Sequence, residues 1–334
     1  MSRFVQGDIS HALAALLADR QTHSGETIAR QLGCSRTAVW KHVERLRAHG
    51  IEIDAVAGQG YRMREPLDLL NQAAILDALD PEAAAALGSL HIAGVVDSTN
   101  DWLLALPPGQ RHGMALLAER QTAGRGRRGR SWVSPYARNL YLSLGWTFES
   151  GAAQLGCLPL LVALAACDAL DRAGLEGHGV KWPNDLLLDG RKLGGCLVEI
   201  QGDASGPCHA VMGIGINLRM PESLLEAQGI NQPWADLGDA LPGLSRNRMA
   251  SLLLGAMLVR VGLFAQTGFA PLREAWQQRD ALAGLEVELQ HATGAVRGRV
   301  LGISDYGALR LQLPSGTAEY TAGEVKVQLR HRDS

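Results

Sequence analysis

Between Gln121 and Trp132 the sequence reads Gln-Thr-Ala-Gly-Arg-Gly-Arg-Arg-Gly-Arg-Ser-Trp. Arg125, Arg127, Arg128 and Arg130 are interleaved with Gly124, Gly126 and Gly129. Fixed positive charge is therefore mounted on backbone that bends freely and exposes its N–H groups, which suits phosphate. The formal match to a dinucleotide fingerprint, Gly124-x-Gly126-x-x-Gly129, lacks its context. Glu119 to Ala123 separate it from the apolar run Met114 to Ala118, and Pro135 opposes a helix after it. No Gly-Lys-Ser/Thr follows, so it is not a Walker loop either. Taken alone the stretch reads as a phosphate loop, a nucleic-acid patch or a solvated basic loop; its companions along the chain favour the first.

Those companions sit at the ends of apolar runs, where a cleft collects polar groups. Ser98, Thr99 and Asn100 offer hydroxyls and an amide to a small ligand with carbonyl and N–H edges, and one hydroxyl also suits the N-cap of a helix from Asp101. Lys181 stands between Val180 and Trp182, just before Pro183, where it is either solvated or the point charge for a carboxylate or phosphate. Ala210 to Asn217 reads Ala-Val-Met-Gly-Ile-Gly-Ile-Asn, a strand whose glycines admit something close to the backbone.

The composition, 334 residues with 46% apolar, 20% charged and a net charge of −2, fits a globular chain of two or three domains. Any nucleic-acid contact must then be local. The longest apolar stretch, Cys157 to Cys167, is too short to cross a membrane. Asp8, His11, Asp19 and Arg20 interrupt any signal-peptide pattern. Five cysteines without CxxC spacing read as reduced packing residues in a cytoplasmic protein. The histidines show no ligand spacing, so no protein-ligated metal is expected.

The N-terminal residues 1–64 predict helices over His11 to Leu17, Ile28 to Leu32 with Ser24 as N-cap, and Arg36 to His49 capped by Ser35. Val39, Val43 and Leu46 form the inner stripe of the third, leaving Arg36, Thr37, Trp40 and Lys41 outward. A glycine hairpin, Ile51 to Met63, follows as a wing. This order reads as a winged helix-turn-helix, with Ser35, Arg36, Thr37, Trp40 and Lys41 as the DNA-facing residues, in preference to a three-helix packing unit that touches no DNA. Nine Lys/Arg against six Asp/Glu make this segment +3, the sign that DNA requires. Residues 68–278 predict a helix over Leu67 to Leu79, then a mixed, largely antiparallel sheet with helices on one face. The strands are Leu90 to Val96, Met114 to Ala118, Asn139 to Trp146, Leu186 to Leu188, Leu193 to Ile200 and Ala210 to Asn217. The helices are Ala152 to Ala173, Asn247 to Gln266 and Pro271 to Ala281. Residues 282–331 predict a small β unit, with runs Val287 to Leu289, Val296 to Leu301, Ala308 to Leu313 and Val325 to Leu329.

The loop Gly124 to Trp132 joins Asp97 to Asn100, Lys-Trp-Pro-Asn-Asp at 181–185 and Gly-Ile-Gly-Ile-Asn at 213–217. Behind a winged helix-turn-helix, this set resembles the bifunctional biotin-protein ligases that double as biotin operon repressors. The resemblance covers nearly the whole chain. It implies an α+β fold with a ligase core like that of class II aminoacyl-tRNA synthetases and a C-terminal SH3-like barrel. It implies biotin and ATP as substrates, with Mg²⁺ carried by ATP, a biotin carboxyl carrier protein as acceptor, operator DNA as partner, and a homodimer when adenylate is bound. Residue by residue, it implies biotin contacts at Ser98, Thr99, Asn100, Gln121, Arg125, Gly126, Arg127 and Lys181. It implies adenylate contacts at Arg127, Arg128, Arg130, Trp132, Asn217 and Trp234, and catalysis by Arg125, Arg127 and Lys181. Ser131 stands where a lysine is usual, Trp40 where a polar residue is, and Ala322-Gly323-Glu324 varies a Gly-Gly-Glu. A lipoate or octanoate ligase shares this fold class, but the arginine loop and Lys-Trp-Pro-Asn-Asp resemble the biotin branch. A repressor that only senses biotin or a nucleotide, and a ligase whose N-terminal unit no longer regulates, also remain open.

Overall fold

The computed structural model describes residues 9–203, 206–227 and 232–327. Helices α1 (Ile9–Leu17), α2 (Gly25–Gln31) and α3 (Arg36–Ala48) precede a hairpin of β1 (Ile53–Val56) and β2 (Gly60–Met63). The Ser24 and Ser35 hydroxyls accept from the N–H groups of Thr27 and Ala38 at 3.1 and 3.2 Å, so α2 and α3 start where a side chain satisfies a free amide. Val39, Val43 and Leu46 are fully buried with Leu13, Leu17 and Ile28. Each buried side chain of this size contributes about 2 kcal/mol, which sets the register of α3 and turns Arg36, Thr37, Trp40 and Lys41 to the surface.

The helix expected over Leu67 to Leu79 is cut to α4 (Gln72–Asp77). The preceding residues are held in place by tertiary hydrogen bonds. Leu70 N–H donates to Glu119 at 2.7 Å, and the Asn71 side chain caps α4 through Ala74 N–H at 3.0 Å. After α5 (Pro81–Ala86) come β3 (Ser89–Val96), α6 (Thr99–Leu104), β4 (Met114–Gln121), β5 (Leu140–Phe148), α7 (Leu158–Arg172), β6 (His178–Lys181), β7 (Asp185–Leu188), β8 (Arg191–Gly202) and β9 (Cys208–Ile216). The strands form one seven-stranded sheet in the order β3-β4-β5-β9-β8-β7-β6, in which only β3 and β4 are parallel.

Helices α8 (Glu222–Ala227), α9 (Leu237–Ala240), α10 (Arg246–Thr267) and α11 (Arg273–Gln277) follow. Successive residues of a strand face opposite sides. Along β4, Ala115 and Leu117 join the main core with α7 and α10, whereas Leu116 and Ala118 join Leu103 of α6. Helices therefore cover both faces, not one; α6, the short helix that the hydroxyls of Ser98 and Thr99 announced, lies on the second face. The expected helix from Ala152 begins at Leu158, after a 3₁₀ turn at Ala152–Leu155. The one expected to run to Ala281 stops at Gln277, because Asp280 bridges to Val180 beside the sheet. By length and hydropathy alone, Ala152–Arg172 and Arg246–Thr267 could cross a membrane, which the sequence reading did not anticipate. Their burial in this core accounts for that apolarity.

Strands β10 (Glu286–His291), β11 (Gly294–Ile303), β12 (Leu309–Leu313), β13 (Gly316–Tyr320) and β14 (Glu324–Val327) build a five-stranded antiparallel sheet, consistent with a small β domain. Strand β13 was not foreseen, since its Thr-Ala-Glu-Tyr run is half exposed. Of the run expected over Val325 to Leu329, Gln328 and Leu329 lie outside the described residues. This sheet is docked on the core: Trp182 donates its indole N–H to Gly307 O at 3.0 Å.

Candidate functional site

Residues from α6, β4, β6, β8, β9, the arginine loop and the edge of the C-terminal sheet enclose one cavity of about 210 Å³. On one wall, Ser98 caps α6 by accepting from Asp101 N–H at 3.3 Å. Thr99 donates both its N–H and its hydroxyl to Gln121 Oε1, at 2.9 and 3.1 Å. Beneath them Ser143 Oγ lies 2.7 Å from the Thr99 hydroxyl and 2.6 Å from Asn100 Oδ1, and Asn100 Nδ2 donates to Glu199 at 2.8 Å. Thr99 and Asn100 are each tied to side chains on neighbouring strands, so the wall is braced before any ligand arrives. Gly213 of β9 passes so close to Asn100 that a Cβ would strike its side-chain oxygen.

The arginine loop forms the lid. Its ends are held together by Gly126 N–H to Arg130 O at 2.7 Å and Trp132 N–H to Gly124 O at 2.8 Å. Arg128 and Gly129 between them adopt positive φ, 57° and 71°. For the arginine this costs about 1 kcal/mol, so tertiary contacts must hold it. They do, and they differ for each arginine. Arg125 pairs with Asp101 and with Glu199. Arg128 and Arg130 both pair with Glu324 of β14, whose carboxyl is held below the usual carboxylate range chiefly by Arg130. Arg127 reaches no carboxylate among the described residues: it donates to Asn184 Oδ1 at 3.2 Å and Gly323 O at 3.4 Å. Burial, and then the neighbouring Arg128, lower its pKa, and the more distant carboxylates of Asp185 and Glu324 only partly oppose them, so this charge is desolvated and has no direct ion pair.

Opposite the lid, Lys181 ends β6 half-buried and without an ion pair among the described residues, whereas Lys192 of β8 pairs with Asp185 at 2.8 Å. Trp132 lies flat against β9, where a Cβ on Gly215 would come within 2.6 Å of the indole. The close approach expected of those two glycines is thus made by Asn100 and Trp132. Asn217 donates to Ala235 O at 3.2 Å, and Trp234 is bridged to Lys192. All the expected ligand-site residues, from Ser98 through Gly126 to Trp234, line this single cavity.

Sequence reasoning missed Lys192, Ser143, Glu199 and Asp101. Ser143 and Glu199 are polar residues inside the apolar runs of β5 and β8, a signal that was visible. Lys192 had none, since it reaches the cavity only through the pairing of β7 with β8. The residues expected to face DNA do not line the cavity. Ser35 is spent on the α3 cap, while Arg36, Thr37, Trp40 and Lys41 are exposed.

A winged helix-turn-helix unit joined to a mixed-sheet core with a cationic cavity, and closed by a small β sheet, defines a three-unit protein with a candidate ligand cavity. Residues 9–62 match an HTH domain, 93–217 the biotin/lipoate A/B protein ligase family, and 284–327 the biotin protein ligase C-terminal domain. The bifunctional ligase/repressor BirA of Escherichia coli (strain K12) is 39% identical over 316 residues, spanning 95% of this chain and 96% of that one. The bifunctional ligase/repressor BirA of Bacillus subtilis (strain 168) is 30% identical, spanning 91% and 93%. The biotin protein ligase from Aquifex aeolicus, solved in complex with biotin and ATP, superposes with a TM-score of 0.61 at 27% identity, covering 72% of this chain and 99% of that one. The chain belongs to the biotin protein ligase family, in the branch that carries a helix-turn-helix domain.

Proposed function

We propose that this chain is an ATP-dependent biotin-protein ligase that also represses transcription. The observation that carries the reading is the pair of cations without a direct ion pair among the described residues, Arg127 and Lys181, in one cavity whose far wall is the fixed amide and hydroxyl set of Thr99, Asn100 and Gln121. The reaction joins two anions. A carboxylate oxygen of biotin attacks the α-phosphorus of ATP and pyrophosphate leaves, giving biotinyl-5′-adenylate. A lysine amine of a biotin carboxyl carrier protein then attacks the acyl carbon and AMP departs. No protein group needs to become covalently bonded; catalysis is positioning plus cationic stabilisation.

Ser98, Thr99, Asn100, Gln121 and Gly126 hold biotin. Lys181 meets its carboxylate and the α-phosphate, joined by Lys192 from the next strand pair. Arg127 neutralises the charge that builds on the phosphorus. Arg128, Arg130, Trp132, Asn217 and Trp234 surround the adenylate. Mg²⁺ comes with ATP and shields its phosphates; Asp185 and Glu324, carboxylates lining the cavity, are each occupied by basic side chains. Arg125, already neutralised by Asp101 and Glu199, positions the lid and supplies no free charge. The lid keeps water from the hydrolysable anhydride.

For the repressor role, two helix-turn-helix units in a homodimer formed by the adenylate-bound protein meet successive half-sites on DNA, and the carrier competes for the dimer surface. The chain divides at 1–64, 68–278 and 282–331, of which 1–8, 204, 205, 228–231 and 328–331 lie outside the described residues. Five free cysteines suit a reducing compartment, the cytoplasm. The test is biotin-dependent release of pyrophosphate and transfer of labelled biotin to a carrier domain, with lipoate as competitor. Transfer of lipoate but not biotin sinks the reading. Sedimentation without a shift toward dimer on adding biotin and ATP removes the regulatory part alone.

A further inference from the structure

Helix α3 exposes Arg36, Thr37, Trp40 and Lys41 together. Arg36 and Trp40 stand one turn apart, as do Thr37 and Lys41, so the four share a strip near the helix start. Around them Arg30, Arg47, Arg62 and Arg64 are each paired with an acid. Arg20, just after α1, and Arg36, Lys41 and Arg45, all three on α3, have no ion pair among the described residues. Uncompensated positive charge in the winged unit is therefore concentrated on α3, where it complements phosphate. In its midst stands Trp40, 53% exposed, the largest exposed apolar side chain of that unit. Its position on the outer face of α3 serves no packing purpose inside the fold, since Val39, Val43 and Leu46 already fill the core.

We propose that Trp40 is a specificity residue that reads the 5-methyl group of thymine in a DNA major groove. The inference rests on the DNA-binding reading given above. A helix seated in the major groove turns its first two turns toward base edges. That floor is a pattern of hydrogen-bond donors and acceptors except at thymine, whose methyl is its one apolar feature. An indole laid on the edges of a G·C pair strips water from several groups and returns at most one hydrogen bond, from Nε1. Laid on a thymine methyl, it removes apolar surface from water on both partners. Arg36 and Lys41 on either side hold the helix to phosphates and bring the indole to the floor.

The experiment uses the full chain with biotin and ATP, on a duplex that the protein itself selects from a random pool. Each thymine in turn is replaced by deoxyuridine, which removes the methyl and nothing else. One thymine in each half-site is expected to show binding weakened about fourfold, the effect of one methyl-sized apolar group. Trp40→Ala is expected to bind more weakly and to be blind to that replacement; Trp40→Phe retains the sensitivity. Lys41→Ala weakens binding to every duplex alike, lowers the salt slope by about 1, and keeps the thymine preference. Equal affinity for the deoxyuridine duplexes, or a sensitivity unchanged in Trp40→Ala, overturns the assignment while leaving DNA binding intact. Failure of the unaltered chain to enrich any duplex removes the DNA reading itself, and this inference with it.

Discussion

Arg130 donates to both oxygens of Glu324, at 2.5 and 2.6 Å, across 194 positions of sequence. Arg128 shares the same carboxylate. The lid of the cavity is thereby fastened to the C-terminal sheet, and two of its four arginines engage an internal anion in the place proposed for the adenylate. A partly exposed pair of this kind contributes roughly 1 kcal/mol. Glu324→Gln keeps the shape and removes the charge. Hydrogen exchange of the ligand-free variant is expected to quicken about fivefold over residues 124–131, the factor that ~1 kcal/mol gives, with protection restored by biotin and ATP. Unchanged exchange in the empty variant would show that the loop is held by something other than this latch.

Arg127 and Arg125 lie two residues apart and are expected to behave differently. Arg127 hydrogen-bonds only to neutral groups and is desolvated, so its charge is available to the transition state. Arg127→Ala is expected to cost ~10²-fold or more in the rate of biotin-dependent pyrophosphate release. Arg125 is held by Asp101 and Glu199, and Glu199 in turn holds Asn100. Arg125→Ala is therefore expected to raise KM for biotin with a smaller effect on kcat. Steady-state kinetics on both variants decides it: equal losses in kcat contradict the division of labour.

The helix-turn-helix was legible because each of its devices is local. Ser24 and Ser35 cap, Val39, Val43 and Leu46 keep a helical period, and glycines turn the wing. The cavity was legible for a different reason. Its motifs put arginines, hydroxyls and a lysine where packing has no use for them, and two strand glycines announced the close approach of Asn100 and Trp132. What stayed hidden depends on partners distant in sequence. Residues 67–71 read as helix but are drawn toward Glu119 and Asn247. Lys192 enters the cavity only because β7 and β8 pair. Glu324 could be quoted as part of a motif, but not as the anion that clamps Arg128 and Arg130.

Glu119 and Arg246 are both fully buried and meet at 2.7 Å. Glu119 also accepts from Leu70 N–H, while Arg246 donates to Asp68 O and Asn139 O, so the pair ties the linker after the winged unit to β4 and α10. Glu119→Gln leaves the guanidinium buried without its counter-charge, and is expected to destabilise the protein by about 3–5 kcal/mol. Urea unfolding measures this. A loss under 1 kcal/mol would mean that water or a rearranged acid replaces the carboxylate.

Asp280 sits at the seam between the ligase core and the C-terminal sheet, bridged to Val180. One carboxyl oxygen accepts from Leu282 N–H at 2.9 Å; the other is buried without a partner. Burial pushes its pKa up to about 6, against a model-peptide value of 3.8. The folded carboxyl thus holds its proton to higher pH than the unfolded one. Folding is penalised progressively as pH rises from about 4 to 6, by roughly 3 kcal/mol once the group is ionised in both states. Asp280→Asn cannot ionise and escapes that penalty, at the smaller cost of a buried amide N–H. Its stability relative to the unaltered chain is expected to be lowest near pH 4 and to climb by 1–3 kcal/mol by pH 7.5, followed by urea denaturation at both pH values. A stability difference that is flat over this range would mean that the carboxyl is solvated, and that the seam beside Lys181 opens to water.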